Sequence, residues 1–536
     1  MGGLVASRHW QLSCRLLFFC CLSTRCGGKH RSARALSQKI LRLTAPAVLS
    51  QHQKRKEYDM QETYTARLAE FACSNTYETL PPSVTKATKR LLKDTLGCAV
   101  AGFDLPSSEI VSKVIQAYGG AEEATVLVSG KKMPAPLATY INSHLVNAID
   151  ADDTYKYKAH LAAATLPAAI AMAERQNSSG KELIAAIAVG FEVAGRIGMS
   201  LKGLMVTPEG EQKFAPVSGY SWGAFGAVVC AGRLLGLNYE QMLNAINITA
   251  STIPVAASGK FGETLPRPMT KYAMYGTLGE AGIVAALLAK EGFTGEPAML
   301  DGDNGLWRML GSLGVDWDRL TEGLGENWGV ELVAYKPYPG CRFAGAAIDM
   351  LLKIKEKQGL GAEEIERIEV AAPGVALVKK LDSPVVESMV DACFSIPFLL
   401  GCALHGGVPG PGWHTPAARA NPAIRAFMDR VVVDVEPTAG QVAAEDLKRL
   451  GHIARMRCAI KVHARGQVFS ASSDYAHGDP YIPESVMTDA EMDMKFSNFC
   501  ATELTSAQIS TAIGILDNLE AERDLTALLA QLVRQE

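Results

Sequence analysis

Three closely spaced acidic residues and a histidine form the densest group of titratable side chains in the sequence. They are Asp150, Asp152, Asp153 and His160, with Thr154 between them. Neighbouring carboxylates repel and raise one another's pKa, and an imidazole titrates near neutral pH. Such a set can run proton transfers. The alternative is that the Asp and Thr side chains cap the backbone N–H groups of a helix and that His160 is incidental.

Two lysines stand in unusual surroundings. Lys271 opens a long apolar helical stretch, and Lys336 lies in the Pro-rich segment 335–342. Fixed ammonium groups at such places can hold the carboxylates of an acidic substrate. The alternative for each is a surface lysine whose aliphatic stem packs on its helix.

Other catalytic signatures are missing. The Gly-rich segment 219–226 does not follow a predicted strand and lacks dinucleotide-binding spacing, and the segment 258–260 is not a phosphate-binding loop. There is no G-x-S-x-G elbow. A metal site is disfavoured because only one His lies near the acidic cluster. We therefore predict activity without a metal or a nucleotide.

Composition narrows the class of protein. The 536 residues are 48% hydrophobic and 20% charged, with a formal net charge of -3. Because no basic excess is available to neutralise phosphates, nucleic acid is not an expected partner. The twelve cysteines contain no C-x-x-C and do not form a redox or metal framework. Beyond the N-terminus the apolar segments are interrupted by polar residues, which predicts buried helices and no membrane partner.

The N-terminal segment differs from the rest of the chain. Residues 1–56 contain no Asp or Glu but many basic residues, with Ser, Ala and Leu between them. This composition is typical of a mitochondrial presequence, so residues 1–59 are predicted to be removed or disordered. The apolar run 16–22 also suits a signal-peptide core. A third reading is a cytoplasmic protein whose translation begins at Met60.

Most of the remaining chain has helical periodicity. Apolar residues recur at helical spacing in several Ala-rich segments of the first half. The predicted helices are Ser83–Gly102, Pro136–Ile149, Leu161–Gln176, Lys181–Ser200, Trp222–Leu235, Glu240–Ser251 and Thr270–Lys290.

The pattern changes after about residue 329. Strands are predicted at Arg367–Ala372, Arg430–Val435, Arg457–His463 and Val468–Ala471, the last two joined as a hairpin. Helices are predicted at Phe343–Lys357 and Met389–Leu404, and a capping box at Thr488 starts a last helical region. The predicted fold is mainly α. A large all-helical domain is formed by both chain ends, 60–330 and 488–536, and a smaller α/β lid domain is inserted at 331–487.

Several of these motifs, in this order, resemble the MmgE/PrpD family of lyases. The stretch Ala66–Gly102 resembles the opening of the family. Asp150, Thr154 and His160 keep the spacing of its signature, which here continues into Leu166-Pro167-Ala168-Ala169. Later landmarks of the family are matched by the segments 392–397 and 487–496.

The resemblance implies a function and a site. The family includes 2-methylcitrate dehydratases and cis-aconitate decarboxylases, which use no metal or organic cofactor. It implies a homodimer and an active site between a helical and a lid domain. Lys271 and Lys336 match its active-site lysines. His160 would transfer the proton, Asp150 would orient His160 or act as a protonated acid, and Thr154 would hydrogen-bond the substrate or a catalytic side chain.

The sequence departs from the decarboxylases of the family at a few positions. His160 is followed by Leu-Ala where the family usually has Pro-Ser or Pro-Gly. A second active-site His falls near Val217, an active-site Tyr near Leu377, and a lid His near Cys341 or Gly345. These departures predict a more apolar pocket wall, which suits an alkyl substituent on the substrate.

Three functions follow from these features. The first is dehydration of 2-methylcitrate or a longer 2-alkylcitrate. The second is decarboxylation of a cis-aconitate-type acid to itaconate. The third is a non-catalytic dimeric binding protein with the fold of the family. In each catalytic case Asp150, Thr154, His160, Lys271 and Lys336 are expected to meet in one pocket that binds a di- or tricarboxylate.

Overall fold

The structure, a computed structural model, describes residues 63–156, 159–206, 212–214, 219–255 and 261–535. The predicted presequence and the position Val217 lie outside the described residues. Residues 60–536 form one compact unit. The predicted domain boundaries near 330 and 487 therefore stay a prediction.

Helices dominate the first part of the chain. In chain order they are α1 (Tyr64–Ser74), α2 (Pro82–Ala101), α3 (Pro106–Gln116), α4 (Ala135–Ala148), α5 (Ala162–Gln176), α6 (Gly180–Ser200), α7 (Gly223–Leu234), α8 (Tyr239–Thr252), α9 (Met274–Lys290), α10 (Leu306–Met309) and α11 (Asp318–Thr321). Short strands lie between them: β1 (Ala124–Thr125), β2 (Lys132–Met133), β3 (Thr154–Tyr155), β4 (Leu204–Val206), β5 (Gln212–Phe214) and β6 (Val333–Ala334). The seven helices predicted here are confirmed. The last one differs at its start, because a 3₁₀ turn, Met269–Tyr272, precedes α9.

The second part mixes helices with one larger sheet. Its helices are α12 (Gly345–Gln358), α13 (Gly374–Val378), α14 (Met389–Cys393), α15 (Ile396–His405), α16 (Pro416–Ala420), α17 (Pro422–Met428), α18 (Ala439–Leu450), α19 (Asp489–Cys500), α20 (Ser506–Asp517) and α21 (Thr526–Gln531). The strands are β7 (Ile365–Ala372), β8 (Val431–Val435), β9 (Cys458–Ala464) and β10 (Gln467–Ser473), in the order β10-β9-β7-β8. Only the β7–β8 pair is parallel. The predicted mainly α fold is confirmed.

Two local sequence signals are confirmed in detail. The β9–β10 hairpin turns at Arg465 and Gly466, which both have positive φ, as a tight two-residue turn requires. The capping box at Thr488 starts α19. The predicted helix Met389–Leu404 is instead two helices. Ser395 separates them, because its side chain accepts a hydrogen bond from Phe398 N and caps the second one.

Three clusters of buried apolar side chains organise the described chain. The largest takes its members from 68–335 and from 487–532, so both ends of the chain contribute to it. The second draws on 344–476, with Tyr272 as its one buried member from before residue 344. A small third cluster joins Cys98 and Ala101 of α2, Ile149 and Ala151, and Phe499 of α19. Tyr272 and the third cluster flank the residues that form the candidate site.

Two described helical segments are long and apolar enough to cross a membrane by length and composition. They are Gly180–Ser200, whose most apolar window is 100% buried in the fold, and Met269–Lys290, whose window is 56% buried. The core helices of a folded domain pass the same test. The burial of α6 on all sides is that of a core helix.

Small residues allow the central helices α7 and α9 to approach closely. A Cβ atom on Gly282 of α9 would lie 2.6 Å from Ala227 Cβ and 2.7 Å from Val228 N, both on α7. By contrast, a Cβ on Gly514, within α20, would meet nothing within 4 Å.

These two glycines give a matched pair of substitutions. Gly514→Ala should stabilise the protein by up to about 1 kcal/mol, because Ala favours the helix. Gly282→Ala gains the same helix preference but adds an overpacking cost of about 1–3 kcal/mol. Urea unfolding should therefore place Gly282→Ala below Gly514→Ala by that amount. Equal midpoints would show that α7 and α9 can separate without cost.

Candidate active site

The site is built around a strained turn at the end of α4. The helix ends at Ala148, and Asp150 N still donates to Asn147 O at 2.9 Å. Asp150 then takes a positive φ of 53°. A residue other than Gly in this region costs about 1–3 kcal/mol and is kept only where the surroundings fix it. Here the turn carries the three predicted carboxylates in sequence.

Two lysines hold Asp150 from opposite parts of the chain. Lys271 Nζ donates to Asp150 Oδ2 at 2.7 Å, and Lys336 Nζ donates to Asp150 Oδ1 at 2.6 Å. Lys336 Nζ also donates to the Asp150 carbonyl at 2.6 Å, and Lys271 Nζ lies 3.3 Å from Asn147 Oδ1. All three charged side chains are at most 9% exposed. The surface-lysine alternative is therefore wrong for both lysines.

The charges of this triad fix the protonation state of Asp150. Burial alone would raise its pKa, but the charges of Lys271 and Lys336 outweigh burial and hold the pKa far below its ordinary value. Burial alone would lower the pKa of Lys336, and the charges of Asp150 and Asp152 reverse that effect and raise it. Asp150 is thus an ionised carboxylate. The expectation that burial keeps Asp150 protonated as an acid is wrong.

The carboxylate that contacts the histidine is Asp152. His160 Nδ1 lies 3.1 Å from Asp152 Oδ1, an ion-pair distance without the alignment of a hydrogen bond, and both Asp152 oxygens accept from Asn147 Nδ2 at 2.9 Å. Asp152 is fully buried, and the His160 side chain is 12% exposed. The expectation that Asp150 orients His160 is therefore corrected. An ionised Asp152 favours the proton on Nδ1 and leaves Nε2 as the nitrogen for proton transfer.

Burial makes His160 less basic than an ordinary histidine. Burial lowers its pKa, Asp152 opposes that effect, and the charges of Lys336 and Lys271 lower the pKa further. For Asp152, burial alone would raise the pKa, but the contact with His160 and the two lysine charges lower it. In the free protein near neutral pH, His160 is therefore mainly neutral beside an ionised Asp152.

The third carboxylate has a structural role. Asp153 Oδ2 accepts from Leu161 N at 3.0 Å, and Asp153 Oδ1 accepts from Ala162 N at 3.1 Å, at the start of α5. The capping alternative is thus correct for Asp153, although not for Asp150 or Asp152. Burial raises the pKa of Asp153 well above its ordinary value, and the charges of Asp152 and Asp94 add to this.

Thr154 follows the three carboxylates in sequence but, within the described residues, its side chain forms no hydrogen bond with the charged groups of the site. It begins β3, which pairs with β6 so that Thr154 lies opposite Ala334, two residues before Lys336. Its side chain is buried, and Oγ1 has no hydrogen-bond partner within the described residues. A buried hydroxyl without a partner suits a substrate contact, because an unsatisfied polar group is costly.

Aromatic rings form the other walls around the charged groups. Lys271 Nζ lies 4.7 Å from the centre of the Tyr272 ring and 5.5 Å from that of Phe394. The His160 and Tyr275 rings are 6.2 Å apart, in an edge-on arrangement. Tyr220 follows, 6.3 Å from Tyr275. These rings exclude water. The faces of the Tyr272 and Phe394 rings also stabilise the ammonium charge of Lys271.

The residues at which the sequence departs from the decarboxylases of the family lie in different parts of the structure. Leu377 is half-buried on α13, against the second apolar cluster. Cys341 lies near the triad, where burial and then the charge of Asp150 raise the pKa of its thiol to about 11. Gly345 begins α12.

Sequence reasoning missed several residues that support the lysines. Arg267 is buried, and its backbone N and Nη1 donate to Asp391 at 2.8 and 3.4 Å. Its Nη2 donates to the carbonyls of Lys379 and Lys380, just after α13. His144 on α4 lies 3.2 Å from the Tyr272 carbonyl. Neither Arg267 nor His144 belongs to a catalytic motif in the sequence. The only sequence signal for their burial is that their neighbours are Pro-rich or apolar.

The charged groups do not suit a metal ion. Ligand atoms of Asp150, Asp152 and His160 lie within 4.8 Å of one another, a spacing that a cation could use. However, both oxygens of Asp150 are bound by ammonium groups. A divalent cation would have to sit against two positive charges, which is unfavourable at this distance.

Comparison with known proteins identifies the family of this chain. Residues 66–316 match the model of the MmgE/PrpD N-terminal domain, and residues 338–520 match that of the MmgE/PrpD C-terminal domain. The chain belongs to the MmgE/PrpD family. The predicted homodimer stays a prediction.

Several curated relatives share about a quarter of their residues with this chain. Cis-aconitate decarboxylase of Homo sapiens is 25% identical over 468 residues, which cover 84% of this chain and 91% of that protein. Cis-aconitate decarboxylase of Mus musculus is 24% identical and covers 84% and 89%, respectively. Cis-aconitate decarboxylase of Aspergillus terreus (strain NIH 2624 / FGSC A1156) is 25% identical and covers 55% and 60%.

Removal of the central carboxylate tests the triad. Asp150→Asn leaves two buried ammonium groups without their counter-charge, which should destabilise the protein by about 3–5 kcal/mol in urea unfolding at pH 7. Because the pKa of Asp150 is depressed, its contribution is present above the ordinary Asp pKa and is lost only as pH falls through the depressed value. The deficit of the variant should therefore persist at pH 5.

Glu364→Gln provides the control. It removes the partner of Arg465 in an exposed pair and should leave the midpoint unchanged. If Asp150→Asn is as stable as Glu364→Gln, the triad does not hold the turn.

Proposed function

We propose that this protein is a carboxy-lyase that decarboxylates a cis-aconitate-type acid without a metal or organic cofactor. The observation that carries the proposal is the Lys271–Asp150–Lys336 triad beside the Asp152–His160 pair. The names of the human, mouse and Aspergillus relatives support the same class of reaction.

The triad provides donors for a substrate carboxylate. An ammonium group has three N–H donors. Within the described residues, Lys271 Nζ uses two of them on Asp150 and Asn147, and Lys336 Nζ uses two on the carboxylate and carbonyl of Asp150. One donor on each lysine thus remains for the substrate. Asp150 neutralises one of the two charges and orients both ammonium groups, so this end of the site keeps a net positive charge.

The Asp152–His160 pair provides the proton. Loss of carbon dioxide breaks a C–C bond and leaves the electron pair on the carbon skeleton, where a neighbouring carboxylate delocalises it. The ammonium groups stabilise that developing charge. Protonated His160 then donates its Nε2 proton to carbon, and Asp152 stabilises the imidazolium before the transfer. The reaction therefore consumes one proton, releases one molecule of carbon dioxide and places the electron pair of the broken C–C bond in the new C–H bond.

The second candidate is dehydration of a 2-alkylcitrate such as 2-methylcitrate. It is favoured by Leu377, an apolar residue near which an active-site tyrosine of the decarboxylases in the family falls. The carbonyls of Lys379 and Lys380, just after it, accept hydrogen bonds from Arg267, which precedes Lys271 by four residues. In this reaction neutral His160 would remove a proton next to a carboxylate, and a hydroxide would leave.

A substrate panel tests the proposal. Purified protein is incubated with cis-aconitate, citrate and 2-methylcitrate, with a chelator present throughout. Carbon dioxide release from cis-aconitate is the expected result, and His160→Ala should reduce it roughly 10²–10⁴-fold. His463→Ala, which changes a partly exposed His on β9, is the control and should retain activity. A new conjugated double bond from 2-methylcitrate alone would favour the dehydratase. No turnover of any acid would favour a non-catalytic protein.

The pH dependence separates the two reactions further. Decarboxylation needs protonated His160, whose pKa lies below its ordinary value, so kcat/KM should fall as pH rises through that pKa. Dehydration needs neutral His160, so kcat/KM should rise through the same pKa. Asp152→Asn removes the charge that raises this pKa and should move the pH at which kcat/KM changes to a lower value. If that pH does not move, the titrating group belongs to the substrate or is another side chain.

A further inference from the structure

A third buried lysine reaches the catalytic turn from the C-terminal part of the chain. Lys495 on α19 places Nζ 2.5 Å from Asp94 Oδ1 on α2 and donates to the Ala151 carbonyl at 2.7 Å. The Lys495 side chain is 4% exposed and that of Asp94 is fully buried. Within the described residues, neither Lys495 nor Asp94 forms a hydrogen bond with Asp150, Asp152 or His160.

The carbonyl that Lys495 binds lies at the centre of the turn. Ala151 separates Asp150, which holds the two site lysines, from Asp152, which holds His160. Lys336 binds the Asp150 carbonyl, and Lys495 binds the next one. Ala151 belongs to the small apolar cluster that contains Cys98 of α2 and Phe499 of α19. Its carbonyl is bound by Lys495 of α19, which Asp94 of α2 holds in turn.

We propose that Lys495, held by Asp94, is a positioning residue that fixes the Ala151 carbonyl, so that Asp150 faces the lysines while Asp152 faces His160. This inference rests on the proposed function in that these two carboxylates serve one reaction. A rotation of the peptide between Ala151 and Asp152 would change the direction of Asp152 relative to Asp150. The bond from Lys495 to the Ala151 carbonyl, with Lys495 held by Asp94, opposes that rotation.

The chain offers a close control for a merely structural role. Lys93, next to Asp94 on α2, pairs with Asp493 of α19 at 2.5 Å and with Asp517 at 2.7 Å. Its side chain is 7% exposed. This pair joins the same two helices but does not touch the turn.

The experiment compares two double variants. Asp94→Asn/Lys495→Met removes the pair without leaving a buried unpaired charge, and the net charge is unchanged. Lys93→Met/Asp493→Asn likewise removes a Lys–Asp pair between α2 and α19 and leaves the net charge unchanged. With cis-aconitate as substrate, the first variant should lose roughly 10- to 100-fold in kcat, as expected when catalytic groups are misplaced by about 1 Å. The second should stay within about twofold of the wild type.

A second measurement does not depend on turnover. The pKa of His160 in the free, ¹³C-histidine-labelled protein is followed by NMR, with its signal assigned from His160→Ala. Since Asp152 raises this pKa, a displaced Asp152 should lower it in Asp94→Asn/Lys495→Met but not in the control. If the protein turns over none of the acids, the proposed function fails while the pKa shift still decides the positioning role.

Two outcomes overturn the inference. One is an unchanged His160 pKa in Asp94→Asn/Lys495→Met, and the other is an equal change in both double variants. If the first double variant does not fold, Asp94→Asn/Lys495→Gln replaces it, because it also leaves no buried charge and keeps a polar side chain at both positions. The glutamine side chain is shorter than that of Lys495 and holds the Ala151 carbonyl less firmly. A smaller shift in the same direction then supports the positioning role, and no shift overturns it.

Discussion

The buried carboxylate of Asp150 is the group on which the rest of the site depends. Its two oxygens bind ammonium groups that come from residues 271 and 336, so one side chain ties the turn after α4 to two later loops. Taking these charges out of water is costly, and only their mutual attraction and hydrogen bonds offset that cost. The arrangement is weak as a source of stability. It is strong as a device that fixes the direction of two ammonium groups.

The site uses similar carboxylates for different tasks because their surroundings differ. Asp150 has two cationic partners and stays ionised. Asp152 has an imidazole and an amide, and it sets the orientation of His160. Asp153 accepts backbone N–H groups at the start of α5, and burial raises its pKa. A low-dielectric interior strengthens each of these interactions.

The fold supplies the partners that make this division possible. The large apolar cluster takes members from both ends of the chain, and α19 returns beside α2 under the turn. Tyr272 belongs to the second cluster, so the loop of Lys271 packs against the part of the chain that contains the larger sheet. Close packing of this kind transmits small displacements, so a change at a residue that touches the turn from behind, such as Lys495, reaches the site.

The sequence alone determined most of the long helices, the hairpin and the residue types of the site. Helical periodicity, capping signals and turn residues are local, so they can be predicted without the fold. The spacing of Asp150, Thr154 and His160 and the order of the family motifs were local signals too. The division of labour among the three carboxylates was not predictable from sequence. It depends on which groups arrive beside each one, such as the ammonium groups of Lys271 and Lys336 beside Asp150, and only the tertiary structure decides these long-range contacts and the burial that sets each pKa.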